Sequence, residues 1–471
     1  MPGDLRVAVI GGGVAGLVAA RELARCGAAV DVFESEPRPG GKIARARLDG
    51  RRFDIGAEAF ATRGGVVAEL IGELGLADAI VAPAPLGSWS VQGSRAVRFP
   101  EAGALGLPAA PLSRESVRAL GVVGALRAAC EPVLPRRIGG RARSVAELVR
   151  LRAGRRVLDR LVRPIALGVY STPPEQLPVS AVPGLAEAHS GGRSLLRASR
   201  ALRDRSRAAG SAVGALPGGM GPLVDALEAD LRGLGAELHL GTTVSGVAHQ
   251  GDDWRITATG PAASGIAEIA PRGYDSVVMA APESVARRLL ALPGAGAPAG
   301  STVEIVMLLV DAPALDGAPR GTGALVAPAG DGAAAGGTRA KALTHVTAKW
   351  PDRGAGLPAG RHAVRLSYGR AGEPPCTLGL DDEQLIDLAA RDAGRILGTP
   401  IARDRVVAWA RRRWIMASPA PADAPEPPAG VVLVGDWVAG TGLAATIAHS
   451  RAATRGLADE AATRRRKEPI R

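Results

Sequence analysis

The chain has 471 residues and a formal net charge of +12, with 46% hydrophobic and 22% charged residues. This length can bury a large core and form two or three lobes. The positive charge favours anionic ligands or an acidic surface. We find no helix-turn-helix, zinc finger or platform of aromatic and basic residues, so we expect no nucleic-acid partner.

The three cysteines are far apart and odd in number, which argues against a disulfide framework. The six histidines show no metal-ligand spacing, so we expect no metal. The first predicted strand begins within a few residues of the N-terminus, and no apolar run of about 20 residues follows. We therefore expect a cytoplasmic protein without a transmembrane segment, for which an anionic membrane surface is an open peripheral partner.

A predicted buried strand at residues 5–10 leads into a glycine-rich loop and a helix. Gly11, Gly13 and Gly16 fit G-x-G-x-x-G, in which the glycines permit a tight turn, close approach of a pyrophosphate and helix packing. The next predicted strand, 29–33, ends at Glu34, which is placed to accept the ribose hydroxyls. These features favour dinucleotide binding over a ligand-free glycine turn. The predicted contacts are Gly11, Gly12, Gly13, Val14, Ala15, Gly16, Glu34 and Ser35.

A second glycine pair follows in Pro37-Arg-Pro-Gly-Gly-Lys42, and a glycine turn in Phe53-Asp-Ile-Gly-Ala-Glu58. NAD-only domains do not require such a loop, whereas in large flavoproteins it passes under the diphosphate and the flavin. Either segment alone could be a structural turn, but together they favour FAD over NAD. The predicted contacts here are Gly41, Lys42, Gly56, Ala57, Glu58 and Ala59.

The middle of the chain alternates between helical and strand-like segments. Helical spacing of apolar residues predicts a helical insertion over 85–215. Strands at 236–240 and 274–280, with a helix over 222–234, return the chain to the nucleotide sheet. Residues 300–415 are predicted to form strands at 303–310, 342–349 and 362–368, hairpin loops at 311–339 and 351–360, and one helix at 381–397.

The last segment returns to nucleotide-binding features. After a Pro/Ala linker at 419–430, a strand ends at Gly435 and Asp436, and Gly440-Thr-Gly-Leu443 opens a helix. A helix N-terminus carries about half a positive charge, so Thr441, Gly442 and Leu443 are candidates to stabilise negative charge on a reduced flavin.

These segments predict a mixed α/β (α+β) fold with a discontinuous FAD-binding, Rossmann-like domain (1–84, 216–299 and 416–471). This domain is interleaved with the helical insertion (85–215) and a mixed-sheet substrate domain (300–415).

In this order and spacing the segments resemble the bacterial coproporphyrinogen III and protoporphyrinogen IX oxidases among the FAD amine-oxidase-like flavoproteins. The broad resemblance depends on residues 11–16, Gly40-Gly41 and Gly435-Asp436. The narrower one depends on Asp54-Ile-Gly-Ala-Glu-Ala-Phe60, Leu161-Val-Arg-Pro-Ile-Ala-Leu-Gly-Val-Tyr170, Leu216-Pro-Gly-Gly-Met-Gly221 and Ala348-Lys-Trp-Pro351.

The chain departs from the family pattern in two places. The Pro-Gln-Tyr turn that usually follows Arg413-Trp414 is replaced by Ile415-Met-Ala-Ser-Pro419, and the last helix reads Ala448-His-Ser-Arg-Ala-Ala453 where the family prefers Ser-Gly before the alanines. The departures concern substrate choice more than the flavin site.

The resemblance implies oxygen-dependent oxidation of coproporphyrinogen III to coproporphyrin III in three two-electron steps, with release of hydrogen peroxide. Alternatives are protoporphyrinogen IX, a diverged amine oxidase or polyene desaturase, or a flavin-binding protein without catalysis. The resemblance also places the backbone of Val244 at the adenine and Trp414 near the flavin, with core packing as the other interpretation of both. No catalytic acid or base is identified.

An anionic tetrapyrrole needs cationic partners, because arginine pairs well with carboxylates. We choose Arg63 and Arg163 as candidates for the propionates, with a solvated surface role as the alternative for each.

Overall fold

The structure is a computed structural model. It describes residues 5–101, 104–135, 137–182, 185, 194–208, 213–262, 265–269, 272–293, 300–327, 337–417 and 424–460. Within these ranges the protein combines a parallel sheet, a larger mixed sheet and a group of helices with a core of their own. The predicted mixed α/β fold is confirmed.

The strands are β1 (Arg6–Ile10), β2 (Ala29–Glu34), β3 (Arg45–Leu48), β4 (Arg51–Asp54), β5 (Phe60–Ala61), β6 (Trp89–Gln92), β7 (Arg95–Arg98), β8 (Val213–Gly214), β9 (Glu237–Leu240), β10 (Thr243–Gln250), β11 (Asp253–Ala262), β12 (Gly265–Ile269), β13 (Gly273–Tyr274), β14 (Ser276–Met279), β15 (Gly300–Asp311), β16 (Gly323–Val326), β17 (Ala342–His345), β18 (Arg361–Tyr368), β19 (Val406–Ala417) and β20 (Val431–Leu433).

The α-helices are α1 (Val14–Arg25), α2 (Val66–Glu73), α3 (Arg114–Ala129), α4 (Val145–Arg152), α5 (Arg155–Val157), α6 (Arg163–Val169), α7 (Leu195–Ala208), α8 (Gly221–Gly233), α9 (Glu283–Leu289), α10 (Val346–Lys349), α11 (Pro351–Gly354), α12 (Asp382–Leu397), α13 (Asp436–Ala439) and α14 (Leu443–Ala453). A π-helical turn, Leu158–Val162, joins α5 to α6.

The parallel sheet has the strand order β20-β14-β1-β2-β9 and collects segments from both ends of the chain. Its central strands β14, β1 and β2 are almost entirely buried because both faces are covered, as expected for a parallel sheet. Helix α1 packs between this sheet, α8 and α14, so nearly all of its residues are buried. This arrangement sets the carboxyl ends of β1 and β2 beside the N-terminus of α1.

The mixed sheet has the order β19-β15-β18-β17-β16-β6-β7. Helix α12 covers one face; it begins with a capping box between Asp381 and Gln384 and buries Leu385 and Ile396 against this sheet. Side chains alternate between the faces of a strand. On β18, Val364 and Leu366 therefore face α12, whereas Arg365 and Ser367 face the opposite side.

Several predicted secondary-structure elements differ from the observed ones. Residues 85–215 are not purely helical, because β6 and β7 join the mixed sheet, where β6 pairs in parallel with β16. The predicted strand 342–349 ends at His345 and continues as α10, and the predicted loop 311–339 contains β16. Strand β19 crosses the predicted boundary at 415. Short strands are decided by pairing with distant segments, which local propensity does not record.

The helices between β7 and β8 form a separate apolar core. It includes Leu120, Val149, Leu161 and Leu195, all nearly inaccessible to solvent. In the described ranges, no helix combines the length and apolar character needed to span a bilayer. Of the predicted linker 419–430, residues 419–423 lie outside the described residues.

Candidate functional site

The first glycine loop turns from β1 into α1, as its spacing predicts. Gly11 has a φ of +107°, and a Cβ atom there would lie 2.8 Å from the carbonyl oxygen of Ala280. A Cβ atom on Gly16 would clash with the carbonyl oxygen of Gly11. Both glycines are therefore required by close packing of the backbone itself.

Gly13 differs from its neighbours because its side-chain position faces open space. A Cβ atom there would meet a single atom within 4 Å, the Cα of Gly41 at 3.9 Å. Gly13 is also the N-cap of α1 and supplies no side-chain cap to the first amides of the helix. This open cradle at a helix N-terminus fits the diphosphate of a dinucleotide.

The second glycine loop lies directly beside the first. The Gly40 amide donates to the Gly12 carbonyl at 2.7 Å, and Gly13 and Gly40 form an isolated β-bridge. Gly41 has a φ of +55°, which favours glycine. The structure thus brings together two loops that are separated in sequence.

Glu34 ends β2 and is 8% exposed. Its carboxylate accepts hydrogen bonds from the Gly12 amide at 2.7 Å, the Glu36 amide at 2.8 Å and the Ser35 hydroxyl at 3.3 Å. These donors fix the acid at the edge of the glycine loop, where a ribose would meet it. Val244 is buried nearby, packed in one cluster with Ile10 and Phe33.

The C-terminal segment closes the same region. Lys42 forms an ion pair with Asp436, the first residue of α13, and thereby joins the second glycine loop to this segment. Gly435 has a φ of +129°. Gly442, next to Thr441, is the N-cap of α14, and a Cβ atom on Gly442 would meet nothing within 4 Å. The amide end of α14, which begins at Leu443, is therefore a second open helix N-terminus.

The turn at residues 56–59 is held by charged side chains of the mixed sheet and the helices beside it. Arg365 donates to the Gly56 carbonyl at 2.7 Å, and the Ala57 amide donates to the Lys42 carbonyl at 2.8 Å. Ala59, the last predicted contact of this turn, is half-buried and packs against the core of the parallel sheet.

Glu58 is the acid at the centre of this turn. It forms an ion pair with Lys349, and its second oxygen lies 3.6 Å from the guanidinium of Arg365. Arg353 donates to the Glu58 carbonyl at 3.1 Å. Burial would raise the pKa of Glu58, but Lys349, Arg365 and Arg353 together lower that pKa to about 2. Glu58 is therefore a carboxylate at neutral pH.

Asp54 lies beside this group and behaves differently. Its carboxylate accepts from the Met220 amide at 3.1 Å and lies 3.5 Å from Arg353. Burial raises the pKa of Asp54 to about 6 even though Arg353 opposes the shift. The sequence motifs include Glu58 but give no sign of Lys349, Arg353 and Arg365 as its partners, because these residues lie about 300 positions further along the chain.

Trp414 projects from β19 toward the same turn. Its indole N–H donates to the Ile55 carbonyl at 3.0 Å, and it packs with Ile55, Val303 and Ile305. The structure therefore brings Trp414 next to Gly56, although the indole also has a clear packing role.

The two arginines chosen for the propionates lie in different settings. Arg63 is exposed, and its charge acts on the phenol of Tyr170. Arg163 begins α6 and donates to both carboxylate oxygens of Glu175, at 2.7 and 2.8 Å, and to Asp159 at 3.2 Å. The guanidinium of Arg163 is thus occupied by protein carboxylates.

The model of the flavin-containing amine oxidoreductase family matches residues 14–453. The chain belongs to this family. The open cradle at Gly13, the fixed acid Glu34 and the open end of α14 fit FAD, which is the cofactor of the family. The prediction of an FAD-dependent oxidase is confirmed.

Curated relatives support the narrower resemblance. The chain is 26% identical over 407 residues to a coproporphyrinogen III oxidase of Staphylococcus aureus, covering 83% of this chain and 84% of the relative. It is 29% identical over 430 residues to a coproporphyrinogen III oxidase of Mycobacterium tuberculosis, covering 87% and 86%. The predicted similarity to the porphyrinogen oxidases is confirmed.

Solved structures share the fold. A crystal structure from Exiguobacterium sp. 255-15, provisionally assigned as a protoporphyrinogen oxidase, superposes with a TM-score of 0.77 at 20% identity, covering 97% of this chain and 99% of the other. A putrescine oxidase bound to putrescine gives a TM-score of 0.58 at 15% identity, covering 97% and 98%. These likenesses show the fold, which is common to oxidases of different substrates.

Proposed function

We propose that this chain oxidises a porphyrinogen to a porphyrin in haem biosynthesis, and that its substrate is coproporphyrinogen III. The observation that carries the proposal is the positive charge beside the turn at residues 56–59, called the flavin-side turn below. Three cations, Lys349, Arg353 and Arg365, face two carboxylates, of which Asp54 has a pKa raised to about 6. The excess of positive charge favours a polyanionic substrate.

The same charge argues against the two other substrate classes. A cationic amine, the substrate in the putrescine oxidase structure, would be repelled by Lys349, Arg353 and Arg365. A neutral polyene would gain nothing from these side chains and would bury them at a cost in solvation. Four propionates on one macrocycle, in contrast, need several cationic partners.

The residues of the chain divide into those that hold FAD and those that hold the substrate. In this proposal the open cradle at Gly13 and Gly41 takes the diphosphate, Glu34 accepts the ribose hydroxyls and the backbone of Val244 meets the adenine. Leu443 and its neighbours in the first turn of α14 direct amide donors at the flavin. FAD supplies the electron-accepting chemistry when it is bound.

The fixed position of the flavin-side turn follows from its ion pairs. Lys42, held by Asp436, and Glu58, held by Lys349, anchor the two ends of the region where the flavin would lie. Trp414 covers one side of the turn, where its indole donates to the Ile55 carbonyl. We propose that the substrate enters between the mixed sheet and the helices of residues 104–182. These two regions correspond to the predicted substrate domain and the predicted helical insertion.

We further propose that molecular oxygen is the final oxidant and that the reaction occurs in the cytoplasm. Three two-electron oxidations convert one porphyrinogen and three O₂ to one porphyrin and three H₂O₂.

A peripheral membrane contact is also proposed, on the basis of Val122, Val123 and Leu126, which expose 63%, 68% and 53% of their area on α3. Sedimentation with anionic vesicles, before and after Val123→Asp, tests that contact; equal recovery in the supernatant for both proteins would exclude it.

Aerobic turnover of several substrates tests the function. Purified FAD-loaded protein is given coproporphyrinogen III, protoporphyrinogen IX, coproporphyrinogen III tetramethyl ester, and putrescine, while porphyrin fluorescence, oxygen uptake and peroxide are followed. We expect the highest kcat/KM with coproporphyrinogen III, with three O₂ consumed for each porphyrin. Equal rates with the free acid and the ester would refute carboxylate recognition, and turnover of putrescine alone would replace the porphyrinogen with an amine.

A further inference from the structure

Lys341 is a buried cation without a carboxylate partner. The residue is 1% exposed, and its ammonium donates to the hydroxyl of Ser171 at 2.6 Å. Within the described ranges no acidic side chain forms an ion pair with it. Buried lysines are normally paired, because removing a charge from water without an opposite charge is costly. A neutral hydroxyl compensates little of that cost.

The charged groups that face Lys341 add to the imbalance, because both are cations. Burial lowers the pKa of Lys341 to about 7, with further contributions from Arg370, just after β18, and Arg365 on β18. Arg370 is half-buried, and its Nε and Nη2 are buried without a hydrogen-bond partner in the described part of the chain. Glu373 acts on Arg370 through space, but its carboxylate is exposed.

The position of this cluster connects it to the flavin-side turn. The Lys341 amide donates to the Ser367 carbonyl at 2.8 Å, so Lys341 lies beside β18. Ser367 shares a face of β18 with Arg365, which donates to the Gly56 carbonyl. Because Arg370 and Arg365 both act electrostatically on the Lys341 ammonium, the three cations form one cluster, which Arg365 connects to the turn at residues 56–59.

The segment that follows helix α6 covers the cluster on the side of the helices between β7 and β8. Ser171 follows α6 and has a φ of +55°, and its carbonyl accepts from the Ala371 amide at 2.8 Å. The preceding residue, Tyr170, lies within the influence of the charge of Arg63. The mixed sheet, the flavin-side turn and the helical part thus all contribute to the surroundings of Lys341.

A purely structural link between Lys341 and Ser171 does not account for the other two cations. A structural lysine would be stabilised by a nearby acid, whereas Arg365 and Arg370 destabilise its charged form. Within the described residues, the buried Nε and Nη2 donors of Arg370 have no hydrogen-bond partner either, and unsatisfied buried donors are costly. All of these features have a common explanation if an external anion completes the cluster.

We propose that Lys341 and Arg370 form a subsite for a propionate carboxylate of the tetrapyrrole substrate. The half-buried side chain of Arg370 forms the outer edge and pairs with the carboxylate, and Lys341 lies behind it with two N–H donors not used by Ser171. The subsite rests on the proposed function, since it takes its ligand from the porphyrinogen. Arg365 supports it electrostatically while holding the Gly56 turn.

Binding of a carboxylate at this subsite should change the protonation of Lys341. In the free protein the pKa of Lys341 lies near 7, so the side chain is largely neutral at pH 8.5. A bound carboxylate stabilises the ammonium form and raises its pKa. Binding at pH 8.5 should therefore take up a proton, and affinity should fall as the pH rises from 7 to 8.5.

Coproporphyrin III, the stable oxidised product with four carboxylates, serves as the probe. Its binding to the FAD-loaded protein is measured by fluorescence at both pH values and by calorimetry in two buffers of different ionisation enthalpy. The variants are Lys341→Met and Arg370→Gln. The matched control is Arg403→Met, which removes a cation paired with Asp387 on the opposite face of the sheet.

We expect roughly ten- to a hundredfold weaker binding of coproporphyrin III for either variant, since each removes a charge-assisted contact. Arg403→Met should bind like the wild type. Proton uptake at pH 8.5 should disappear in Lys341→Met and persist in the control. The tetramethyl ester should bind the wild type and both variants equally. The flavin spectrum reports whether each variant is folded, and Arg370→Gln carries the test if Lys341→Met loses FAD.

Unchanged binding of coproporphyrin III by Arg370→Gln and by any folded Lys341→Met, with wild-type oxidation of coproporphyrinogen III intact, would overturn the subsite and leave the proposed function standing. A wild type that oxidises no porphyrinogen would overturn the proposed function, and the subsite with it.

Discussion

In the proposed function, the nucleotide-binding unit and the junction between the mixed sheet and the helices recognise their ligands in different ways. The first offers backbone: the open side of Gly13, the amides of α1 and α14, and a single fixed acid, Glu34. The second offers charged side chains, among them Lys349 and Lys341. Recognition by backbone requires fixed spacing and small residues, whereas recognition by side chains can be assembled from any part of the chain.

The largest effect should come from filling the cradle at Gly13. In Gly13→Val the new side chain points into open space in the protein alone, so the fold should survive while the diphosphate is excluded. We expect the purified variant to be colourless, with a circular dichroism spectrum like that of the apoprotein. Absorbance at 450 nm after incubation with excess FAD measures the loss.

Substitutions at two other glycines serve as comparisons for Gly13→Val. Gly16→Ala should impair folding itself, because its Cβ atom would clash with the Gly11 carbonyl. Gly233→Ala, at the end of α8, would meet nothing within 4 Å and should be silent. A yellow Gly13→Val protein would refute the assignment of the cradle to the diphosphate.

The next largest effect concerns the half-buried ion pair of Glu58 and Lys349. Lys349→Met removes the main partner of the Glu58 carboxylate and leaves Arg365 and Arg353 in place, which should lower the free energy of unfolding by about 2–3 kcal/mol. Glu58→Gln combined with Lys349→Met should recover most of the loss. Urea unfolding of the two single variants and the double variant measures the coupling; additive losses would show that the pair does not interact.

The same pair predicts a pH dependence. The pKa of Glu58 falls from 4.5 to about 2 in the folded protein. Its contribution to stability is therefore complete above pH 4.5 and is lost as the pH falls from 4.5 toward 2. Glu58→Gln should remove this part of the acid-induced destabilisation. An unchanged difference in unfolding free energy between pH 5 and pH 3 in Glu58→Gln would contradict it.

A smaller effect is expected at Glu34. Glu34→Gln keeps the size of the side chain but replaces one acceptor oxygen with a donor and removes the charge that binds the Gly12 amide and, in the proposed site, the ribose. A hydrogen bond to a charged group contributes about 1.5–3 kcal/mol, so the Kd for FAD should rise roughly tenfold to a hundredfold. Titration of apoprotein with FAD measures it, and an unchanged Kd would exclude Glu34 from the ribose site.

The smallest effect distinguishes the two arginines first chosen for the propionates. Arg163 is already paired with Glu175 and Asp159, so Arg163→Gln should change KM for coproporphyrinogen III less than about twofold. Arg63→Gln, near Tyr170 and the subsite, should lower kcat/KM roughly tenfold. Steady-state kinetics of both variants compares them, and a larger effect at Arg163 would reverse the assignment.

The sequence is informative where geometry demands particular residues at particular intervals. The spacing of Gly11, Gly13 and Gly16 predicts the cradle, because only glycine permits both the tight turn and the close approach of a diphosphate to the backbone. No spacing in the sequence predicts Lys341 or identifies Glu58 as the partner of Lys349, since any long cation could reach these positions once β17 and β18 pair. Strand β6 is not predicted for the same reason, because its partner β16 lies more than 200 residues away.

Anaerobic mixing with coproporphyrinogen III tests the central claim most directly. One measurement then tests both the cofactor site, which is formed by backbone groups, and the substrate site, which is formed by charged side chains. With enzyme in excess, the flavin absorbance at 450 nm should bleach as porphyrin absorbance appears, with three flavins reduced for each porphyrin formed. The tetramethyl ester should bleach the flavin much more slowly. An oxidised flavin spectrum that stays unchanged in the presence of the free acid would contradict the account.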